Sequence, residues 1–174
     1  MIFSHKQFQR IFWVCFGLFA GSAFCMKWME GDFISQDSKF SIIGLEISYS
    51  REKVQEVLAG LNDKGKTILS YHLYFDFAFM TGVYLGIMSL CMMARYKQVN
   101  VIFKNLLLVL TLLQIIAFVC DITENVYLLS WLKNSRVGDG FAAYHLVVVI
   151  KWSVALTGVL AGIIFSLRPG AAKH

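Results

Sequence analysis

Two acids and an amide lie inside a strongly apolar stretch, AFVCDITENVYLLSWL, at residues 117–132. Glu124 and Asn125 follow Asp121 by three and four residues, so on a helix the three side chains share one face. Gln114, seven residues before Asp121, extends the same face. Carboxylates and an amide arranged in this way can bind a cation, exchange a proton or pair with a buried lysine.

Three further ionisable residues occupy other apolar stretches. His72 and Asp76 are one helical turn apart near the start of one stretch, and Lys151 lies within the last stretch. We expect the helices to bring these side chains to the depth of the acids in 117–132, where all of them converge. The candidate ligand-binding residues are therefore His72, Asp76, Asp121, Glu124, Asn125 and Lys151.

The energy of burial predicts that this cluster faces the protein interior. A charged side chain at the centre of a membrane helix costs roughly 2.5–3.5 kcal/mol on insertion scales. Three acids and one lysine facing lipid would together cost on the order of 10 kcal/mol. Lys151 can neutralise only one of the acids. The surplus negative charge implies either that a carboxyl keeps its proton or that a cation binds.

Four long apolar stretches must position these residues, at about 11–29, 69–94, 102–132 and 142–167. Each covers the roughly 20 residues that a helix needs to cross a membrane. A backbone in lipid must satisfy its own hydrogen bonds, which favours helices. With only 16% charged residues and a mean hydropathy of +0.62, the chain is predicted to be all-α. We expect one domain over residues 1–174, an antiparallel bundle of four transmembrane helices.

The placement of charge predicts the orientation of this bundle. The segments 1–10, 95–104 and 168–174 carry lysines and arginines but no Asp or Glu. The positive-inside rule therefore places both termini in the cytoplasm. The first stretch lacks a convincing cleavage site and is expected to be a retained helix. The basic segments are suited to membrane lipids, and no basic face for nucleic acid is present.

The connection over residues 30–68 is expected on the outer side. Within it, SREKVQEVLAG (50–60) is typical of a short amphipathic helix, with Ser50 as the N-cap and Gly60 at the end. This helix is interpreted as an ordered cap on the bundle, and a mobile lid is the alternative. The preceding segment KFSIIGLEISYS (39–50) is expected to be extended or to lie along the membrane surface.

Small residues and cysteines give weaker signals. Glycines spaced four apart allow two helices to approach closely, either within the bundle or between the subunits of a homo-oligomer. The pairs are Gly17 and Gly21, Gly82 and Gly86, and Gly158 and Gly162.

The four cysteines form no CxxC motif, which argues against a thioredoxin-like centre. A disulfide between Cys25 and Cys120 is possible, and buried free thiols are the alternative.

Several segments resemble those of a known group of proteins. They are LEISYSREKVQEVLAGL before the second predicted helix, YFDFAF within it, DITEN in the third and a lysine early in the fourth. In this combination the chain resembles uncharacterised bacterial inner-membrane proteins with four transmembrane helices. The resemblance spans most of the chain and implies the four-helix topology, but no particular activity, substrate or cofactor. The resemblance also supports the choice of the candidate site residues Asp76, Asp121, Glu124, Asn125 and Lys151.

A metal site is the less favoured interpretation of the cluster. Histidine and carboxylate ligands suit zinc, iron or manganese. The candidate ligands would be His72, Asp76, Asp121 and Glu124. Only one of them is a histidine, and the chain contains neither HExxH nor HxxxH. We therefore expect no metal ion here.

Three classes of function remain open. The leading hypothesis is binding, and possible transport, of a cationic or amphipathic ligand in an acidic pocket that opens outward. The alternative is an intramembrane enzyme acting on a lipid or isoprenoid, with Asp76 and Asp121 as catalytic acid and base. The third is a structural or pore-forming oligomeric subunit. In each class, ion pairs that merely clamp the bundle remain the competing explanation for the cluster.

Overall fold

The computed structural model describes residues 3–36, 38–47 and 50–168. The described chain is almost entirely helical, with one hairpin of two-residue strands. In order, the elements are α1 (His5–Met29), a 3-10 turn (Glu30–Asp32), β1 (Ile34–Ser35), β2 (Ser38–Lys39), α2 (Ile42–Glu46), α3 (Arg51–Ala59), α4 (Asp63–Lys97), α5 (Val101–Asn134) and α6 (Phe141–Leu167). The predicted all-α fold is confirmed.

The four long helices are α1, α4, α5 and α6. Their most apolar windows have mean hydropathies of 1.5, 1.8, 2.4 and 2.1, which is sufficient for each helix to cross a membrane. The four predicted spans are thereby confirmed, and the chain is a multi-pass membrane protein. The short helices α2 and α3 lie together at one end of the bundle, which is called the capped end below.

Two of the long helices begin earlier than hydropathy predicts, because polar caps precede the apolar stretches. The Ser4 side chain accepts a hydrogen bond from the Gln7 amide, and the Gln7 side chain accepts one from the Ser4 amide, so α1 starts at His5. Asn62 Oδ1 accepts from the Gly65 amide at 2.7 Å, so α4 starts at Asp63. Local hydrogen bonding rather than burial therefore determines where these two helices begin.

The helices α4, α5 and α6 pack against one another, whereas α1 packs almost entirely along α4. At Gly82 the backbones of α1 and α4 approach closely, since a Cβ there would lie 2.7 Å from Phe19 N. Gly158 and Gly162 similarly face side chains of neighbouring helices within the bundle. The glycines of α1, in contrast, have no atom within 4 Å of a Cβ position. Close packing inside the chain therefore uses the glycines of α4 and α6.

Apolar clusters fill both ends of the bundle. At the capped end, Phe33, Leu58, Leu69, Leu128 and Tyr144 are among the fully buried members of one cluster. At the opposite end, a second cluster joins α4, α5 and α6; its buried members are Ile87, Cys91, Ala94, Leu107, Leu110 and Phe165. The polar residues of the predicted site lie between these two clusters.

Helix α3 has the position and the cap that its sequence predicts. Ser50 Oγ accepts from the Lys53 amide at 3.3 Å, and Val54 and Leu58 are completely buried. Gln55 Nε2 donates to Ser135 O at 2.9 Å, which ties α3 to the turn between α5 and α6. Through its buried apolar face and this hydrogen bond, α3 packs onto the end of the bundle as a cap.

Part of the segment 39–50 is helical rather than extended, and its residues 48 and 49 lie outside the described chain. Ile42–Glu46 turn inward as α2, with Ser41 Oγ accepting a hydrogen bond from the Gly44 amide at 3.1 Å. Ile42, Leu45 and Glu46 are buried. The inward turn places an acid among the membrane helices, and its consequences are described below.

All four cysteines are free thiols, so Cys25 and Cys120 do not pair.

We predict that Gly82→Ala destabilises the bundle while Gly86→Ala does not. A Cβ at position 82 would also lie 2.9 Å from Cys15 O, and backbone atoms cannot move aside as a side chain can. The corresponding Cβ at position 86 would meet Cys15 Cβ at an ordinary 3.5 Å. Overpacking costs about 1–3 kcal/mol. Thermal unfolding followed by size-exclusion chromatography measures both variants, and equal midpoints would contradict the packing described here.

Candidate functional site

Lys151, on α6, lies at the centre of three carboxylates. Its Nζ donates to Asp121 Oδ1 at 2.8 Å and to Glu46 Oε2 at 3.1 Å. Glu124 Oε2 is 2.5 Å from the same Nζ. The two atoms form an ion pair, but their geometry is not that of a hydrogen bond. All four side chains are at least nine-tenths buried. The ammonium therefore occupies the position that a bound cation would take among these acids.

Two further hydrogen bonds extend this arrangement to α4. The Tyr84 hydroxyl donates to Asp121 Oδ2 at 2.9 Å, so both oxygens of that carboxylate are engaged. Asn125 Nδ2 donates to Asp76 Oδ2 at 2.7 Å. The polar residues thus form a lysine-centred network and a separate Asp76–Asn125 pair. Each links α5 to a neighbouring helix.

His72 takes no part in either arrangement. Its ring packs against Phe33 with the centroids 5.2 Å apart, and its side chain is 1% exposed. Within the part of the chain that the structure describes, the buried His72 Nδ1 has no hydrogen-bond partner. A buried polar atom without a partner is uncommon in folded proteins and requires a specific explanation.

Glu46, like Tyr84, belongs to the network although the sequence did not indicate it. It is 105 residues from Lys151 and lies on α2, so no helical spacing connects it to the other acids. The only sequence signal is an acid between Leu45 and Ile47, and an acid in a loop is mostly exposed. Burial raises the pKa of the Glu46 carboxyl above its ordinary value, and the nearby Asp121 adds to this effect while Lys151 opposes it.

A cavity of about 340 Å³ adjoins the network. Five of the polar residues that line it are Glu46, His72, Asp76, Asp121 and Lys151. Neither Glu124 nor Asn125 belongs to its lining, so these two residues act on the cavity only through Lys151 and Asp76. Of the predicted ligand-binding residues, four therefore face the cavity and two support them from behind.

The walls of the cavity are apolar. The α1 wall includes Phe19, Ala23 and Met26, and the α6 wall includes Leu156 and Val159. Because α1 packs mainly along α4, the space between α1 and α6 is left to the cavity. A ligand in this space would contact hydrocarbon on two sides and carboxylates at one end.

Helix α2 forms a roof over the cavity. Ile42 and Ile43 line the cavity beside Glu46. The roof is attached to the end of α1, since the Ile42 amide donates to Glu30 Oε1 at 3.1 Å. Lys27 Nζ donates to Glu30 Oε2 at 2.5 Å and holds that carboxylate in place. The capped end is therefore closed by a short helix that carries a site residue.

The charges of the site do not balance. Lys27 and Glu30 also line the cavity, but they pair with each other. Four further carboxyl groups face or support the cavity beside one remaining ammonium, that of Lys151; they come from Glu46, Asp76, Asp121 and Glu124. Burying each ion costs several kcal/mol, and a clamp between two helices needs only one acid. Among the described residues, no group of three or more His, Cys, Asp or Glu side chains is arranged to hold a metal ion.

We predict that Lys151→Met strongly destabilises the protein. The variant leaves three buried carboxylates without their cation, and removing one partner of a buried pair costs about 3–5 kcal/mol. Lys64→Met is the matched control, because Lys64 pairs with Asp32 at 3.6 Å on the surface and such pairs contribute at most about 1 kcal/mol. Unfolding by titration with sodium dodecyl sulfate measures both. Equal losses would contradict the central role of Lys151.

We also predict that the attachment of α2 weakens as the pH rises. Because the pKa of Glu46 is raised above 4.5, the folded state holds this proton more tightly than the unfolded chain does. The resulting stabilisation is complete below pH 4.5 and is lost as the pH rises through the raised pKa. Hydrogen-exchange protection of the Leu45 and Ile47 amides, which close the turns of α2, measures this effect.

Glu46→Gln is the control for this pH dependence, because a glutamine does not titrate. Its α2 amides should keep the same protection across the range, while the Val54 amide of α3 reports any global change. A pH dependence that persists in Glu46→Gln would show that Glu46 is not its source.

The arrangement offers two kinds of chemistry. Carboxylates at the end of an apolar cavity can bind the charged head of an amphipathic molecule, and two carboxyl groups on one cavity can also exchange protons with a substrate.

Comparison with known proteins finds no matching family model, no matching curated protein and no matching solved structure. The function is therefore argued from the cavity and its charges.

Proposed function

We propose that this protein binds an amphipathic molecule with a cationic head in the cavity beside Lys151, and passes it along or across the membrane. The observation that carries the proposal is the surplus of carboxylates at one end of an apolar, partly open cavity. In this proposal the capped end faces outward from a bacterial inner membrane, as the basic segments at the other end favour.

Asp76 is the carboxylate best placed to receive the cationic head. Asp121 and Glu46 already share the Lys151 ammonium, whereas Asp76 faces the cavity with a single hydrogen bond, from Asn125. That hydrogen bond orients the carboxylate and leaves the second oxygen for a ligand. Phe79 and Trp152 also line the cavity, and the faces of their rings can contact a cation.

The cavity is closed toward the end opposite the cap. Gln114 is completely buried there, and its Nε2 donates to Val154 O across the α5–α6 interface at 3.2 Å. Beyond it lies the apolar cluster that includes Leu107 and Phe165. Because α2 closes the capped end as well, this conformation favours access from the lipid-facing side, and movement of a ligand across the membrane would require a second conformation.

One specific observation supports the alternative hypothesis that the protein is an enzyme. Asp76, Asp121 and Tyr84 line the same cavity, and Tyr84 donates to Asp121. A protonated carboxyl and a carboxylate on one cavity could deliver and remove a proton at a lipid double bond or carbonyl. An altered lipid found in cells that express the protein, and absent with Asp121→Asn, would favour this activity over simple binding.

We predict that the full chain in lipid nanodiscs binds dodecylamine more tightly than dodecanol, and that Asp76→Asn removes most of the difference. Hydrogen bonds to a charged group contribute about 1.5–3 kcal/mol, so the loss should be roughly tenfold or more. Native mass spectrometry after release from the nanodiscs measures the occupancy of each ligand.

Asp139→Asn is the matched control, because the Asp139 side chain is fully exposed and lies away from the cavity. It should bind both ligands as the wild type does. Equal binding of the amine and the alcohol, or full amine binding by a folded Asp76→Asn, would contradict a cation site and leave the ion network as a structural clamp.

A further inference from the structure

We infer that the ligand is a membrane-borne, single-chain primary amine that enters sideways, between α1 and α6, from the surrounding lipid. This inference rests on the proposed function and adds to it the route of entry, the number of hydrocarbon chains and the kind of ammonium head. Three features carry it: the open side of the cavity, its volume and the unpartnered atom of His72.

The route follows from where the cavity is covered. Toward the cap, α2 closes the cavity with Ile42 and Ile43, and Glu30 fastens that roof to α1. Toward the other end, the buried Gln114 and the apolar cluster beyond it close the bundle. The side between α1 and α6 has no such cover, because α1 packs mainly along α4. In a membrane, that side faces hydrocarbon.

The walls of this side opening match a hydrocarbon chain. On α1 the side chains of Phe19, Ala23 and Met26 line the opening, and on α6 Leu156 and Val159 do so. A water-soluble cation would have to cross hydrocarbon to reach Asp76 by this route, at the cost of its hydration. An amphipathic molecule can keep its chain in lipid while its head moves to the carboxylates.

The volume limits the size of the occupant. About 340 Å³ lies at the lower end of the roughly 300–1,000 Å³ usual for small-molecule sites. Such a space suits a small head and the first part of one chain. It is poorly suited to the bulky head and paired chains of a phospholipid.

The head is assigned from its hydrogen bonds. His72 lines the cavity and is 1% exposed, and its buried Nδ1 has no hydrogen-bond partner among the described residues. As a neutral imidazole it can accept a hydrogen bond there, and so can the Asp76 carboxylate. A primary ammonium has N–H groups for both acceptors, whereas a quaternary ammonium has none. The unpartnered histidine therefore favours a primary amine over a choline-like head.

The test uses Trp152, which lines the cavity, as a fluorescent reporter. Replacing Trp13, Trp28 and Trp131 with Phe leaves it as the sole tryptophan. The full chain in nanodiscs is titrated with hexadecylamine that carries bromine atoms near the head, since bromine quenches a tryptophan in contact with it. Unbrominated hexadecylamine, its trimethylammonium analogue and butylamine then compete for the site.

We expect saturable quenching, competition by hexadecylamine, at least tenfold weaker competition by the trimethyl analogue, and none by butylamine at equal concentration. Ala23→Phe should narrow the opening and weaken quenching at least tenfold, whereas Ala20→Phe, on an exposed position of the same helix outside the lining, should not. Val159→Phe and the exposed control Leu160→Phe repeat the comparison on α6.

The outcomes separate this inference from the proposed function. Equal competition by butylamine, with no effect of Ala23→Phe or Val159→Phe in folded protein, would overturn sideways entry but leave the cation site intact. Equal competition by the trimethyl analogue would overturn the primary amine. Absence of saturable quenching by the amine in the otherwise unaltered chain would reject the cation site itself.

Discussion

The contact of one lysine with three carboxylates governs the arrangement of this protein. Lys151 lies on α6, and the acids around it come from α2 and α5, so a single ammonium joins three elements. In the apolar interior of a membrane bundle no bulk water is available to solvate these ions, and each must find its partner in the protein. The positions of α2, α5 and α6 relative to one another are set by this requirement.

The same requirement shapes the cavity. Asp121 also accepts from Tyr84, and Asn125 donates to Asp76, which brings α4 into register with α5. With α4, α5 and α6 held together in this way, α1 is left to pack along α4, where Gly82 allows the backbones to meet. The gap between α1 and α6 is the geometric consequence of a three-helix core with a fourth helix on one side.

Stability alone does not explain so many acids. A buried ion pair is often no more stabilising than packed apolar side chains of similar volume, and every additional ion increases the cost of burial. Glu46 raises that cost further, because its segment must leave the surface to bring the carboxylate to Lys151. In the function proposed above, the acids of α2 and α4 that face the cavity form a site for a cation in addition to supporting the bundle.

Much of this architecture could be predicted from local patterns. Hydropathy located the four spans, because an apolar stretch of sufficient length has few alternatives to a membrane helix. The spacing of Asp121, Glu124 and Asn125 placed them on one helix face, and the pattern around Ser50 predicted α3. Where polar caps rather than burial decide a helix end, as at Asn62, the same reasoning misplaced it by several residues.

The sequence by itself determined the membrane class, the number of long apolar helices and the inward face of the polar stripe on α5, because each depends on residues within a few turns of one another. Only the tertiary structure decided that Glu46 joins Lys151, that Asp76 pairs with Asn125, and that Glu124 supports the cavity without lining it. These contacts join residues 27 to 105 positions apart. Helical periodicity carries no information over such separations, and these contacts are determined by the packing of whole helices.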